Sequence, residues 1–305
     1  AGFEVGVDQL CFGDEAVEAP LWLEGAPITV AEDDETVLLR GDGFRYVFNK
    51  LTGLFTEIEV DGQPRILRPM EWNIWRAPLD NDMHYKHEWY GARYNIAAPR
   101  VYAVSVTRGE YVEIKATLSL LAVSRQRAAT IEVSWQVQND GRLTCTAEVS
   151  RDKVMAYLPR FGLRLFLPRS AEQVTYWGYG PGESYVDKRR SCWYGRFDTT
   201  VSALHEDYLR PQENGSHYGC REVQVGDGTA TLTVAGQDFS FNASHYTQGE
   251  LEGRRHNFEL KESEWTVLCL DAYHSGVGSG SCGPQLMNEY RLMAEHFTMA
   301  FTFDW

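Results

Sequence analysis

The feature that most constrains this chain is a repeated alternation of apolar and polar residues with a period of two. Tyr111-Val-Glu-Ile-Lys-Ala-Thr-Leu118, Thr130-Ile-Glu-Val-Ser-Trp-Gln-Val137 and Thr229-Ala-Thr-Leu-Thr-Val234 each gather their apolar side chains on one side of an extended backbone. They read as half-buried strands. Between such runs stand Asp61-Gly62, Asn139-Asp140-Gly141 and Gly226-Asp227-Gly228, where Asn, Asp and Gly tolerate the positive φ of tight hairpins. Antiparallel sheets follow. Helical periodicity with capping residues is scarce, and short helices are expected only near Tyr85 to Tyr90 and Gln248 to Gly253. The expected fold class is all-β.

A chain of 305 residues that is 43% hydrophobic can bury a large core. Residues 1–28 read differently from the rest. Gly2 to Val7 and Leu10-Cys-Phe12 look like the last strand of another domain, and an acidic, proline-containing linker runs from Asp14 to Pro27. From 29 to 305 there is neither a compositional break nor an internal repeat, which favours one large sandwich over two halves joined near Pro168.

Charge narrows the partners. Lys and Arg number 29 against 43 Asp and Glu, a formal charge of −14, with no basic cluster to neutralise a run of phosphates. Nucleic acid and anionic membranes are therefore not expected partners. The longest apolar stretches, Leu118 to Val123 and Val267 to Leu270, fall far short of the roughly 20 residues of a spanning helix. Six scattered cysteines without CxxC pairs signal neither zinc nor a disulfide framework, so a reducing compartment, the cytoplasm, is favoured. No metal is assigned, and no cysteine has a recognisable activating neighbour.

Aromatic residues make up 13% of the chain and cluster with polar ones in Trp72-Asn-Ile-Trp-Arg76, His84-Tyr-Lys-His-Glu-Trp-Tyr90 and Tyr176-Trp-Gly-Tyr-Gly-Pro-Gly-Glu-Ser-Tyr185. Such mixtures suit carbohydrate, because sugar C–H faces stack on rings while carboxylates, amides and guanidinium groups satisfy hydroxyls. Large β-sandwiches also use Trp and Tyr as filler, so each ring has a packing reading beside the ligand one. In Arg76-Ala-Pro-Leu-Asp-Asn-Asp82 the proline and the Asp80-Asn81-Asp82 triplet force the chain out of a strand. On spacing alone an Asx turn is favoured there over direct ligand contact.

Five ordered runs carry a resemblance to a known family. Trp75 to Asp82 resembles the WRAPxDND signature that opens the last domain of bacterial family 2 β-galactosidases. Tyr179-Gly-Pro-Gly-Glu-Ser-Tyr185 with Asp187 and Arg189 resembles that domain's GxGPxExYxDR run, and Pro211-Gln-Glu-Asn-Gly215 with Arg221-Glu222 its PxENG…RE run. Phe239 to Tyr246 and Asp271-Ala-Tyr-His-Ser-Gly-Val-Gly278 complete the series. The matches cover roughly residues 30 to 305. The resemblance implies a large antiparallel supersandwich of the galactose mutarotase-like type. It also implies partners, namely the family's (β/α)₈ catalytic barrel and a galactoside substrate. The two catalytic glutamates and the magnesium and sodium ions belong to that barrel, so this chain is expected to be inactive alone, with no cofactor of its own. A retaining glycosidase needs two carboxyl groups about 5 to 5.5 Å apart, and no barrel pattern supplies them here.

In the family, two loops of this domain reach the active-site mouth. One corresponds here to Met83 through Glu88, following the triplet, and brings in His84. The other follows the Gly-rich turn and presents a Trp to the sugar in well-studied relatives. Here Ser279-Gly-Ser-Cys-Gly-Pro284 is one residue shorter and Cys282 stands about where that Trp would be. A wider or differently floored site is expected, with His274, His84 or Trp89 as candidate replacements. Glu213, Asn214 and Arg221 are candidates to line a sugar-facing groove, or to form a buried Arg to Glu pair joining two loops. Asp80, Asn81, Asp82 and His274 are candidate substrate contacts with hydrogen-bonding structural roles as the alternative.

Two other functions remain open. A stand-alone aldose 1-epimerase would use the same superfold with a His and a carboxylate across the sugar, drawn from His245, His274, Glu183 and Glu213. A carbohydrate-binding module would bind galactose without turnover.

Overall fold

The structure is a computed structural model that describes residues 8–10 and 25–305. Most of the expected preceding-domain remnant and linker in residues 1–28 lies outside the described residues. The described residues form two antiparallel sheets. The smaller runs in sequence order through β1 (Thr29–Glu32), β2 (Thr36–Gly41), β3 (Phe44–Asn49), β4 (Leu54–Val60) and β5 (Gln63–Pro64).

The larger sheet has twelve strands: β6 (Arg68–Asn73), β7 (Ala98–Arg108), β8 (Val112–Leu121), β9 (Arg127–Val137), β10 (Leu143–Arg151), β11 (Arg160–Pro168), β12 (Gln173–Gly180), β13 (Trp193–Thr200), β14 (Ser216–Gly226), β15 (Thr231–Ser244), β16 (Trp265–His274) and β17 (His296–Asp304). Its main path is β13-β12-β14-β15-β17-β10-β9-β8-β7, while β16 joins β15 to β11 and β11 joins β6. The two sides of Pro168 therefore share one sheet. The last strand, β17, lies between β10 and β15 rather than at an edge.

The alternation read in the sequence is the alternation of burial. Val112, Ile114, Ala116 and Leu118 of β8 point inward, as do Ile131, Val133, Trp135 and Val137 of β9. Register aligns them across the ladder, with Val133 opposite Ala147 and Trp135 opposite Cys145. The smaller sheet covers this face: Phe55 meets the Trp135 ring edge-on at 5.1 Å, and the Trp135 indole N–H donates to the Gly53 carbonyl at 3.1 Å. A fully buried Trp contributes through its area and through that satisfied N–H together. The expected turns close hairpins with positive φ at Asp61, Gly62, Gly141 and Gly228.

Among the described residues two α-helices form, α1 (Lys86–Ala92) and α2 (Gln248–Gly253), close to the expected positions. Helix α1 ends where Arg93 turns left-handed at φ 60°. Helix α2 begins at Thr247, whose hydroxyl accepts the Glu250 N–H at 3.1 Å. Among the described residues no helix is long and apolar enough to cross a membrane.

Candidate functional site

A β-bulge builds the centre of the site. Residues three apart in a regular strand face opposite ways, yet the shift between Phe161 and Gly162 places Gly162 opposite Asp271 and Arg160 opposite His274. Ala272 is the extra residue, and it brings Asp271 and His274 to the same region. Gly162 is required at this point, because a Cβ there would stand 1.9 Å from the Leu270 carbonyl oxygen.

Arg160 is fully buried and serves two carboxylates. Its Nε and Nη2 donate to Asp271 at 2.9 and 2.5 Å, and its Nη1 donates to Glu213 at 3.0 Å. Burial alone would raise the Glu213 pKa, but the adjacent guanidinium overrides it and holds this carboxyl at about 2. Glu213 is thus ionised and committed. His274 lies 3.8 Å from Glu213 through Nε2, its Nδ1 meets the Ser275 carbonyl at 2.8 Å, and its ring packs on Tyr185 at 5.3 Å.

A second buried guanidinium fixes the loops. Arg76 donates from Nε and Nη2 to Asp82 at 3.1 and 2.7 Å, and to the carbonyls of Ser275 and Gly276 at 2.6 and 3.1 Å. Asp82 also accepts the Leu79 N–H at 3.0 Å, which closes the 3-10 turn Asp80–Asp82. Burial opposes charge on Arg76, and the Asp82 carboxylate more than restores it, so its pKa stands above the ordinary value. Asn81 donates from Nδ2 to the Val277 carbonyl at 2.6 Å. The triplet therefore ties its own loop to the Gly-rich turn.

Beside these anchors opens a cavity of about 390 Å³, lined by Asp80, Asn81, Glu183, Asp187, Lys188 and Glu213 among others. Its carboxylates already have protein donors. Glu183 accepts from Lys188, Tyr208 and the Gly215 N–H, and Asp187 accepts the N–H groups of Val277 and Gly278. Among the described residues no group of three or more His, Cys, Asp and Glu is arranged to hold a metal ion.

Of the sequence candidates, Asp80, Asn81, Glu183 and Glu213 meet at this cavity. Asp82 is buried behind it on Arg76. Asn214 is buried too, accepting the Glu206 N–H and donating to the Gln212 carbonyl. His84 and Cys282 are exposed, on the two loops expected at the mouth. Arg221 lies on β14 with its guanidinium 4.3 Å above the Trp177 ring, and Glu213 forms a buried pair with Arg160.

Two candidate replacements for the missing sugar platform are corrected. Trp89 is 0% exposed, its indole N–H bound to the Tyr157 carbonyl at 2.9 Å, and His274 is buried behind Tyr185 and Glu213. Neither presents a face to a ligand. His245 is bound to Glu172 at 2.5 Å and lines no part of the cavity. Arg160 and Asp187 were missed as site residues. Arg160 at the head of the strand-like stretch Phe161-Gly-Leu-Arg-Leu-Phe-Leu167 was the available signal, since a charge entering a buried strand requires a partner.

These features define the class as a large antiparallel β-supersandwich whose loops are cross-tied around a polar cavity. The profile of the β-galactosidase small chain matches residues 40–304, and the chain belongs to that family. It is 39% identical over 304 residues to a β-galactosidase of Actinobacillus pleuropneumoniae, covering 99% of this chain and 30% of that protein. With a Staphylococcus xylosus β-galactosidase it shares 34% identity over 304 residues, covering 98% and 30%. The chain thus spans about 30% of the length of these curated relatives. Among solved structures it is similar to a galactose 1-epimerase from Lactobacillus acidophilus, at 10% identity and a TM-score of 0.38 over 90% of this chain and 97% of that one.

Proposed function

We propose that this chain is the C-terminal portion of a retaining β-galactosidase and shapes the mouth of its galactoside site from the Met83–Glu88 and Ser279–Pro284 loops. The observation that carries the reading is the joining of the segments that lead into these two loops: Asp82 and the Ser275 and Gly276 carbonyls share Arg76, and Asn81 holds Val277. Such ties pre-set two loops that would otherwise have to be ordered on binding a ligand.

Hydrolysis belongs to a barrel outside this chain. A general acid must be protonated and a nucleophile must be free, whereas Glu213 is ionised on Arg160 and Glu183 and Asp187 are occupied by protein donors. The epimerase alternative loses support on the same grounds, because His274 sits behind Glu213 rather than across a cavity from it. We assign the magnesium and sodium ions to the barrel, and residues 1–28 to the end of the preceding domain and a linker. The free, buried Cys145, Cys220 and Cys269 suit a cytoplasmic setting.

Cys282→Trp in the full-length polypeptide tests the reading. An aromatic face at this position should lower KM for galactosides by about 1 kcal/mol of binding, roughly five-fold, if the loop meets the sugar. An unchanged KM would remove the loop from the site. Turnover of a chromogenic galactoside or faster galactose anomerisation by the isolated chain would refute the division of labour.

A further inference from the structure

The Cys282 loop is fixed at its start by a residue from a different part of the chain. Tyr185 and Lys188 exchange backbone hydrogen bonds at 2.9 and 3.1 Å, making a tight turn with Asp187 near its tip. Tyr185 is buried and packs on His274, so the turn is rooted in the same cluster as the strand end that leads into the loop. From this turn the Asp187 carboxylate accepts the Val277 N–H at 2.9 Å and the Gly278 N–H at 2.7 Å. Two successive N–H groups converging on one anion form a concave backbone cradle. The cradle needs glycine: a Cβ on Gly276 would lie 2.6 Å from the Asp187 carboxyl carbon. Two residues beyond the cradle, Gly280 adopts φ +118° with its Cα turned against Asn81, where a Cβ would stand 2.5 Å from the carbonyl oxygen. The far end is held where the Tyr85 hydroxyl donates to Gln285 at 2.5 Å. Between these ties Cys282 is exposed at the loop's outer part.

We propose that Asp187 is the positioning residue of the Ser279–Pro284 loop, setting where Cys282 stands at the galactoside mouth. It acts through the backbone N–H groups of Val277 and Gly278. The functional half of this inference rests on the reading that the loop meets the sugar; the mechanical half does not. Asp187→Asn keeps one acceptor oxygen but turns an NH₂ group toward the second backbone N–H, which breaks the cradle with little change in volume.

Two measurements separate the halves. In the 305-residue chain carrying Cys11→Ser and Cys192→Ser, a nitroxide on Cys282 should become more mobile in the Asp187→Asn variant. Amide exchange at Val277 and Gly278 should accelerate by roughly 10- to 100-fold, as expected for loss of a hydrogen bond to a charged group, with the global melting temperature nearly unchanged. Unaltered label mobility and exchange would overturn the proposal. In the full-length polypeptide the same variant should raise galactoside KM several-fold while leaving kcat nearly intact, a split that general destabilisation would not produce. A loosened loop with unchanged KM would overturn the role at the mouth and, with it, the placement of this loop beside the sugar.

Discussion

Replacing Arg160 by Met should destabilise the chain far more than its loss of volume implies. The guanidinium is 0% exposed and makes three charge-assisted hydrogen bonds to two carboxylates that are themselves 0% and 3% exposed. Breaking one buried ion pair costs about 3–5 kcal/mol, mostly by leaving the partner charge uncompensated. Three hydrogen bonds to charged groups at about 1.5–3 kcal/mol each allow a somewhat larger loss. Equilibrium urea denaturation at pH 7 should therefore show a loss on the order of 5 kcal/mol. The deficit should also shrink in acid. Without Arg160, burial raises the Glu213 pKa above its ordinary value of 4.5, so the variant's carboxyls protonate as pH falls and their desolvation cost is relieved. Adding Glu213→Gln and Asp271→Asn should recover most of the loss at pH 7. A deficit under about 1 kcal/mol, or one that does not change between pH 7 and pH 4, would refute the view that this arginine neutralises two buried carboxylates.

Acid should unfold the native chain in two overlapping stages. His217 is buried and its pKa is pushed down to about 4, so it folds neutral. The unfolded state takes up its proton first, and stability falls by about 3 kcal/mol as pH drops from the ordinary value near 6.5 to 4. Glu213 has the same sign lower down, its contribution being present above 4.5 and lost as pH falls to about 2. Denaturation midpoints across this range should slope accordingly, and His217→Phe should flatten the upper part; an unchanged slope would count against it. Trp89→Phe should cost about 2 kcal/mol, through the void and the orphaned Tyr157 carbonyl, while galactoside KM of the full-length polypeptide stays the same. A KM change would return Trp89 to the list of sugar contacts.

The strands were legible where one face is wet. β8, β9 and the start of β15 announce themselves by alternation, and the turns at Gly62, Gly141 and Gly228 by their chemistry. β11 was harder, because it is covered on nearly all of both faces and Gly162, Arg164 and Phe166 between its apolar positions blur the alternation. The motif segments were found, but their roles depend on partners far away in sequence. Asp82 reads as a turn residue until Arg76 closes on it and reaches residues 275 and 276. Trp89 and His274 look available for stacking in a linear sequence, and only packing against Tyr157 and Tyr185 shows that they are not.

The position of β17 bears on how this molecule comes into being. The last of the described strands in sequence order is inserted in the middle of the large sheet, pairing with β10 on one side and β15 on the other. The bonds that set the loops likewise close spans of 199, 200 and 196 residues. Such long closures make folding slow and delay non-local order until most of the chain is available. Without β17 (His296–Asp304) the large sheet would hold an open seam between β10 and β15. A chain lacking this one strand would carry nearly every motif on a sheet that has no continuous middle.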